Sequence, residues 1–448
     1  GDDSRVLVMT SGNISDEPIA YRDEEALSRL EKTADYFLLH NRDIHIRCDD
    51  SVTRVWQGRE MLLRRGRGYV PYPLKISPPF RREILACGGE LKNTFCLTRD
   101  GYAFLSHHIG DLGNMETFTS FREGIEHFKK LFRIRPEIIA CDMHPEYLST
   151  KYAEELSKPS KTKLKLIRVQ HHHAHVAACM AENGIEEKVI GVAFDGTGYG
   201  CDGAVWGGEF LLADFKDFRR RAHFRYLPLP GGEMAIKEPW RMAVSYLYRI
   251  YGDDFPETEF VKKMDKDKVR VLINMLRQSL NCPPTSSVGR LFDTVSSLLG
   301  IRNKVNYEGQ AAIELEIIAG EKGEGEDEVY EYEIKKGKNN TLLIDPRLII
   351  IGVIDDLKKG RPTSLISAKF HHSLARIIGK VCRLLRRESG VDKVVLSGGV
   401  FQNIFLLEAT FSLLRAEKFK VYTHHKVPPN DGGLSLGQAV IADRRTGE

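Results

Sequence analysis

Apolar and polar residues are distributed so as to divide the chain into a short mixed segment and a long α/β one. From Glu83 onward, strand-length apolar runs recur at residues 84–87, 95–98, 138–142, 166–169, 189–194, 394–397 and 421–423, with amphipathic helical stretches between them. This alternation predicts an α/β fold. One pattern is written twice. Ile84-Leu85-Ala86-Cys87-Gly88-Gly89 continues through Phe95-Cys96-Leu97 to Ala103-Phe104-Leu105, and Ile190-Gly191-Val192-Ala193-Phe194 continues through Ala204-Val205-Trp206 to Phe210-Leu211-Leu212. Each reads as strand, glycine turn, strand, glycine turn, strand. Residues 240–319 have a helical pattern, and the charged tract at 320–328 is expected to form a solvated loop.

The first segment, residues 1–78, opens with a strand-like run at 6–9 and the polar turn Thr10-Ser11-Gly12-Asn13-Ile14-Ser15. A helical stretch at 24–33 follows, then the basic tract Leu63-Arg64-Arg65-Gly66-Arg67-Gly68. Pro71, Pro73, Pro78 and Pro79 mark a linker. So short a segment reads as part of a domain whose beginning is expected upstream of Gly1. The second division covers 79–448, with lobes at about 83–185 and 186–445.

Composition narrows the function classes. With 448 residues, 42% hydrophobic and 29% charged, the chain can build two or three cored domains. A net charge of +4 gives no reason to expect nucleic acid, while a pI near 8.5 suits phosphate-bearing ligands. No apolar run reaches the roughly 18 residues of a membrane span. Gly1-Asp2-Asp3 does not open a secretory leader. The eight cysteines form no CxxC pair, which argues against a disulfide scaffold or zinc ribbon and for a cytoplasmic setting.

Four histidines in five residues, in Val169-Gln170-His171-His172-His173-Ala174-His175, follow a strand and open a helix. His171 and His175 are one turn apart on one face, so both imidazoles can reach one metal ion. The alternative is an exposed histidine stretch, but small apolar neighbours disfavour it. A further carboxylate ligand is needed. Asp431, in Pro428-Pro429-Asn430-Asp431-Gly432-Gly433, is available, although from the residues alone helix N-capping accounts for it slightly better. Asp195-Gly196-Thr197-Gly198 and Ser397-Gly398-Gly399-Val400-Phe401-Gln402-Asn403 each follow a strand and offer bare backbone N–H groups to a phosphate. Lys237 and Arg241 flank a helix start in Lys237-Glu238-Pro239-Trp240-Arg241, where they could hold a small anion or simply be solvated.

Together these motifs closely resemble the HypF family, carbamoyltransferases of nickel–iron hydrogenase maturation. Cys87-Gly88-Gly89-Glu90-Leu91-Lys92-Asn93 and Ser106-His107-His108-Ile109-Gly110-Asp111-Leu112 look like the same family. The first segment is similar to the C-terminal half of a YrdC-like domain, and the rest to a duplicated actin-like (ASKHA) two-lobed fold. O-carbamoyltransferases carry these modules in the opposite order.

The resemblance implies a relay. Carbamoyl phosphate yields carbamate, ATP converts it to carbamoyl adenylate, and the carbamoyl group passes to the C-terminal cysteine of HypE. It implies a divalent metal, iron or zinc, on His171, His175 and Asp431, with Mg²⁺ accompanying ATP. Asp195, Gly196, Thr197, Gly198, Ser397, Gly398, Gly399 and Asn403 would surround the nucleotide. Ser11, Asn13, Ser15, Arg64 and Arg65 would belong to the adenylation pocket. Lys237, Arg241 and His107 are the candidate catalytic residues, His107 (with His108 beside it) for deprotonating the acceptor thiol. The family's acylphosphatase domain, paired CxxC zinc fingers and first half of the YrdC-like domain are not in this chain. It is therefore expected to keep metal and nucleotide binding but not the whole reaction. A small-molecule kinase on the same fold would explain the glycine motifs but not the histidines. A tRNA-modifying transferase should carry a basic stripe that +4 does not supply, and a vestigial HypE-binding module is the non-catalytic alternative.

Overall fold

The computed structural model describes residues 8–14, 17–161, 163–320 and 328–446. Two sheets share one plan. In the first, β1 (Ile84–Ala86) pairs antiparallel with β2 (Cys96–Arg99), which pairs antiparallel with β3 (Tyr102–Leu105). On its other side β1 runs parallel to β4 (Ile138–Asp142), and β4 to β5 (Lys165–Val169). The second sheet repeats this with β6 (Val189–Tyr199), β7 (Val205–Ala213), β8 (Phe218–Phe224), β9 (Lys393–Ser397) and β10 (Lys420–Tyr422). The orders are β3-β2-β1-β4-β5 and β8-β7-β6-β9-β10, with short strands added at the β3 and β8 edges. This is the duplicated actin-like α/β arrangement.

The central strands are buried on both faces, which is why they read as continuous apolar runs. In β4, Ile139 and Cys141 enter one core while Ile138 and Ala140 enter another. In β6, Ile190, Val192 and Phe194 face the outer helices, and Val189 and Ala193 face inward. The inward faces meet on two helices, α1 (His171–Glu182) and α4 (Leu434–Arg445). All twelve residues of α1 are buried, as are residues 434–443 of α4. Helices buried all round have no polar stripe.

The two helices cross over between the lobes. Helix α1 follows β5 of the first sheet yet packs on β6, β7 and β9 of the second. Helix α4 ends the second lobe's sequence yet packs on β1, β2 and β4 of the first. Ala174, Ala177 and Ala178 on α1 face Gly437 and Ala439 on α4 in one core, and a Cβ on Gly437 would lie 1.9 Å from the Ala174 carbonyl oxygen. Two further helices matter for the site: α2 (Val288–Leu298) behind β6, and α3 (Ile404–Ala416), which starts after a 3-10 turn at Gly399–Gln402.

The sequence expectation fails in three places. Asp195-Gly196-Thr197-Gly198 is not a turn but the end of strand β6. Its glycines serve close approach, since a Cβ on Gly198 would meet the His171 and His172 rings at 2.6 and 2.5 Å. Second, residues 204–206 and 210–212 are not separate strands. Strand β7 runs through Gly207 and Gly208 with a register shift, because the Asp195 and Ser286 carbonyls press there at 2.6 and 2.4 Å from any added Cβ. The third strand of that unit is β8, whose arginines masked it. Third, the first segment has no strand at Val8–Met9, while Val6, Leu7, Ser15 and residues 321–327 of the charged tract lie outside the described residues. Its helix is Asp23–Leu30, with no buried residue. The ribbon Val52–Trp56 and Arg59–Arg64 joins the segment to the second lobe, Trp56 Nε1 donating to Glu408 at 2.7 Å.

All eight cysteines are free, and no helix among the described residues is long and apolar enough to cross a membrane. Because the Ala174–Gly437 contact leaves no room for a side chain, Gly437→Val should lower stability by about 2–3 kcal/mol. The urea midpoint measures this, and an unchanged midpoint would contradict the crossing.

Candidate metal and nucleotide site between the lobes

Helix α1 starts buried beside Asp195 and Asp431, two residues that line a cleft between the lobes. Gln170 caps it, its side chain accepting from His173 N at 2.9 Å and donating to the Tyr199 carbonyl at 2.9 Å. His171 is the first helical residue and His175 lies one turn further on, with ring centroids 5.0 Å apart. Both Nε2 atoms face two carboxylates. Asp195, on β6, places Oδ2 at 3.4 Å from His171 and 3.0 Å from His175. Asp431 places Oδ1 at 3.6 and 3.5 Å from the same atoms. The capping work at this turn is done by Asn430, which accepts from Gly432 N at 2.9 Å. Asp431 is therefore left to point at the histidines.

The surroundings fix these groups. His171 Nδ1 donates to Asp142 Oδ2 at 2.8 Å, at the end of β4, which turns Nε2 toward Asp195 and Asp431. Asp195 Oδ1 accepts from Gly196 N at 2.8 Å and Gly399 N at 3.1 Å. Gly89 brings the loop after β1 against Asp431, with a Cβ there 3.2 Å from Oδ2. Burial works against charge on His171, yet Asp431 and Asp142 raise its pKa well above the usual value. Burial likewise opposes ionisation of Asp195, but His171 and His175 hold it well below the carboxylate range. The cluster is built to hold positive charge. Its two imidazole nitrogens and two carboxylate oxygens lie within 4.8 Å of one another, and that donor set fits a divalent transition metal or zinc.

Beside the cluster opens a cleft of about 380 Å³. Asp195, Gly196, Gly399, Asn403 and Asp431 line it from the motifs, with Lys92, Arg290, Asp293 and Glu308 among the other walls. Asp293 is pushed up to about 6 by burial, opposed by Arg290 at 2.8 Å. A larger cavity, about 740 Å³, lies among the helices around Trp240 and Val269 and contains none of the clustered ligands.

Comparison with known proteins bears on this geometry. The family described as "Carbamoyltransferase, Kae1-like Domain, second subdomain" matches residues 191–438, and "HypF Kae1-like domain" matches 80–182. A YrdC-type family described as "Telomere recombination" matches 2–66. The carbamoyltransferase HypF of Synechocystis sp. is 38% identical, over 96% of this chain and 56% of its own length. The chain belongs to the carbamoyltransferase HypF family. HypF2 of Cupriavidus necator is 39% identical over 99% of this chain and 57% of its own. A crystal structure of full-length HypF in the phosphate- and nucleotide-bound form is 48% identical, with a TM-score of 0.91 over 98% of this chain and 67% of that one. HypF of T. kodakarensis is 35% identical, with a TM-score of 0.88 over 97% of this chain and 56% of that one. The chain thus spans little more than half the length of the curated HypF relatives it matches.

Of the residues expected from the HypF resemblance, the structure gathers His171, His175 and Asp431 at one point and adds Asp195, which the sequence reading had given to the nucleotide. Gly196, Gly399 and Asn403 stand at the cleft wall. Others hold the scaffold. Ser397 is buried, donating to the His175 carbonyl at 2.9 Å and meeting His424 Nε2 at 2.7 Å. Gly398, at φ 99°, lets the chain pass Phe194, whose carbonyl would lie 2.1 Å from a Cβ. Asn403 also caps α3 and donates to His371 at 2.9 Å. Thr197 is half-buried on β6, and Gly198 underlies the histidine rings.

The remaining candidates are not among the described residues lining the cleft. Arg241 pairs with Glu238, and the Lys237 carbonyl accepts from Val305 N at 3.0 Å. His107 is buried, its pKa pushed down to about 4 by desolvation. Arg65 is buried and donates to the Tyr69 and Tyr72 carbonyls at 2.8 Å, whereas Arg64 is exposed at the strand end. The Ser11 hydroxyl donates to Asn13 in an exposed loop. Sequence reasoning missed Asp142, Lys92, Glu308, Arg290 and Asp293. Asp142 had a signal, a carboxylate ending a fully apolar strand.

Metal content after desalting checks the cluster. His171→Ala and Asp431→Ala should each lose most of the ion, whereas Asp142→Asn should keep the site but weaken it about 10–100-fold. Equal metal retention in all three would contradict this ligand set.

Proposed function

We propose that this chain performs the carbamoyl-transfer part of an ATP-dependent carbamoyltransferase. In this reading carbamate derived from carbamoyl phosphate is activated with ATP, accompanied by Mg²⁺, as carbamoyl adenylate, and the carbamoyl group is transferred to the C-terminal cysteine of HypE. The observation that carries the reading is the convergence of His171, His175, Asp195 and Asp431 beside a cleft walled by Gly196 and Gly399. The nucleotide- and phosphate-bound state of a 48% identical HypF supports it. The protein would work in the cytoplasm.

The chemistry suits these residues. Carbamate is a poor electrophile, and joining it to AMP as a mixed anhydride supplies a leaving group. The acceptor thiolate attacks the carbamoyl carbon, the C–O bond to AMP breaks, and AMP departs carrying the negative charge. A divalent ion, iron or zinc, when bound by His171, His175, Asp195 and Asp431, would supply Lewis-acid stabilisation of that charge. Asp142 keeps His171 in the tautomer that presents Nε2. Gly196, without a Cβ, lets the phosphate approach the end of β6. The buried walls limit water around a labile anhydride.

A complementation assay tests the reading. A full-length HypF relative whose counterparts of His171 and His175 are replaced by Ala would supply adenylate to this chain, with ATP, carbamoyl phosphate and HypE present. Mass spectrometry should find a carbamoyl group on the HypE C-terminal cysteine only when the chain is added, and not with its His171→Ala/His175→Ala variant. Equal modification with that variant would sink the proposed role of the cluster.

A further inference from the structure

Three cations line the cleft among the described residues: Arg54, Lys92 and Arg290. Arg290 pairs with Asp293 on its own helix, and Arg54 with Glu316 at 2.9 Å. Lys92 is different. It comes from the first lobe, in the loop after β1, and its ammonium ion pairs with Glu308, which precedes the second-lobe helix Gln310–Gly320. The side chains are 29% and 42% exposed, so the pair stands at the mouth and not in the core.

Two observations argue that Lys92 is aimed. Its backbone adopts φ 46°, a left-handed conformation uncommon for a side-chain-bearing residue, and its N–H is tied to Asp111 at 2.8 Å. Its charge is sustained from two directions. Desolvation disfavours the ammonium, but Glu308, and after it Asp431 and Asp111, raise its pKa above the ordinary value. Glu308 in turn is raised by burial, opposed by Lys92, and feels both Asp431 and Asp195. This carboxylate therefore sits where the cleft is already rich in negative charge. A phosphate entering beside the cluster would repel Glu308 and attract Lys92.

We propose that Lys92 is a phosphate ligand held in place by Glu308, and that a nucleotide phosphate arriving beside Asp431 takes the place of Glu308 as its partner. This rests on the nucleotide reading of the cleft given above. The exchange keeps the ammonium paired with an anion, carboxylate or phosphate, in both states.

The two members of the pair then have opposite effects, which a merely structural salt bridge would not produce. Calorimetry with AMP and with adenosine, on the full chain and on Lys92→Met, Glu308→Gln and the double variant, reads this out. Lys92→Met should lose AMP affinity about tenfold or more, as loss of a charge-assisted hydrogen bond does, while adenosine affinity stays the same and reports an intact fold. Glu308→Gln should bind AMP several-fold more tightly, and the double variant should match Lys92→Met. An AMP preference that survives Lys92→Met, or AMP affinity that falls in Glu308→Gln, overturns the proposal and leaves the nucleotide reading standing. A wild-type chain that holds AMP no better than adenosine overturns both.

Discussion

The contact on which the rest of the molecule depends is the crossing of α1 and α4, where the backbone of Gly437 lies against the carbonyl of Ala174. Each helix packs on the sheet that the other lobe's sequence builds, so the two halves are laced through one shared core. That lacing fixes the site. The start of α1 carries His171 and His175 to the cleft, and the turn leading into α4 carries Asp431 to the same point. Alanines and glycines are required here because a larger side chain would push the helices apart and spread the ligands. Each added methylene would also strain a core packed at crystal-like density.

Electrostatics impose the second constraint. Burying imidazoles and carboxylates is costly unless each is partnered. Asp142 partners His171, and Asp195 bridges the histidines to the backbone N–H groups of Gly196 and Gly399. His173, on the same turn, donates instead to the Asp214 carbonyl at 2.6 Å and takes no part in the cluster. What remains is a ring of donors that favours positive charge at its centre and a cleft whose cations are already paired. Such a cleft favours an anionic ligand brought together with a cation.

Much of this was legible in the sequence, and the failures have physical causes. Apolar runs marked the buried strands because both sheet faces are covered. The spacing of His171 and His175 announced a shared helical face. Asp431 could not be separated from a helix cap until Asn430 was seen to be the capping residue. Asp195 stands in a run that reads as a turn, because glycines punctuate turns. Here they let imidazole rings approach a strand. Lys92 and Glu308 are 216 residues apart, and no local pattern links them. Strand β8 was hidden by arginines whose charged heads find partners such as Glu209 and Glu388.

The central claim is that one metal ion sits where the two lobes meet. Crystals of the chain grown with iron or zinc, with diffraction recorded on either side of the metal's absorption edge, test it most directly. The account predicts a single strong anomalous peak bounded by the Nε2 atoms of His171 and His175 and by carboxylate oxygens of Asp195 and Asp431. A peak elsewhere in the molecule, or none at this point at full metal loading, would contradict it.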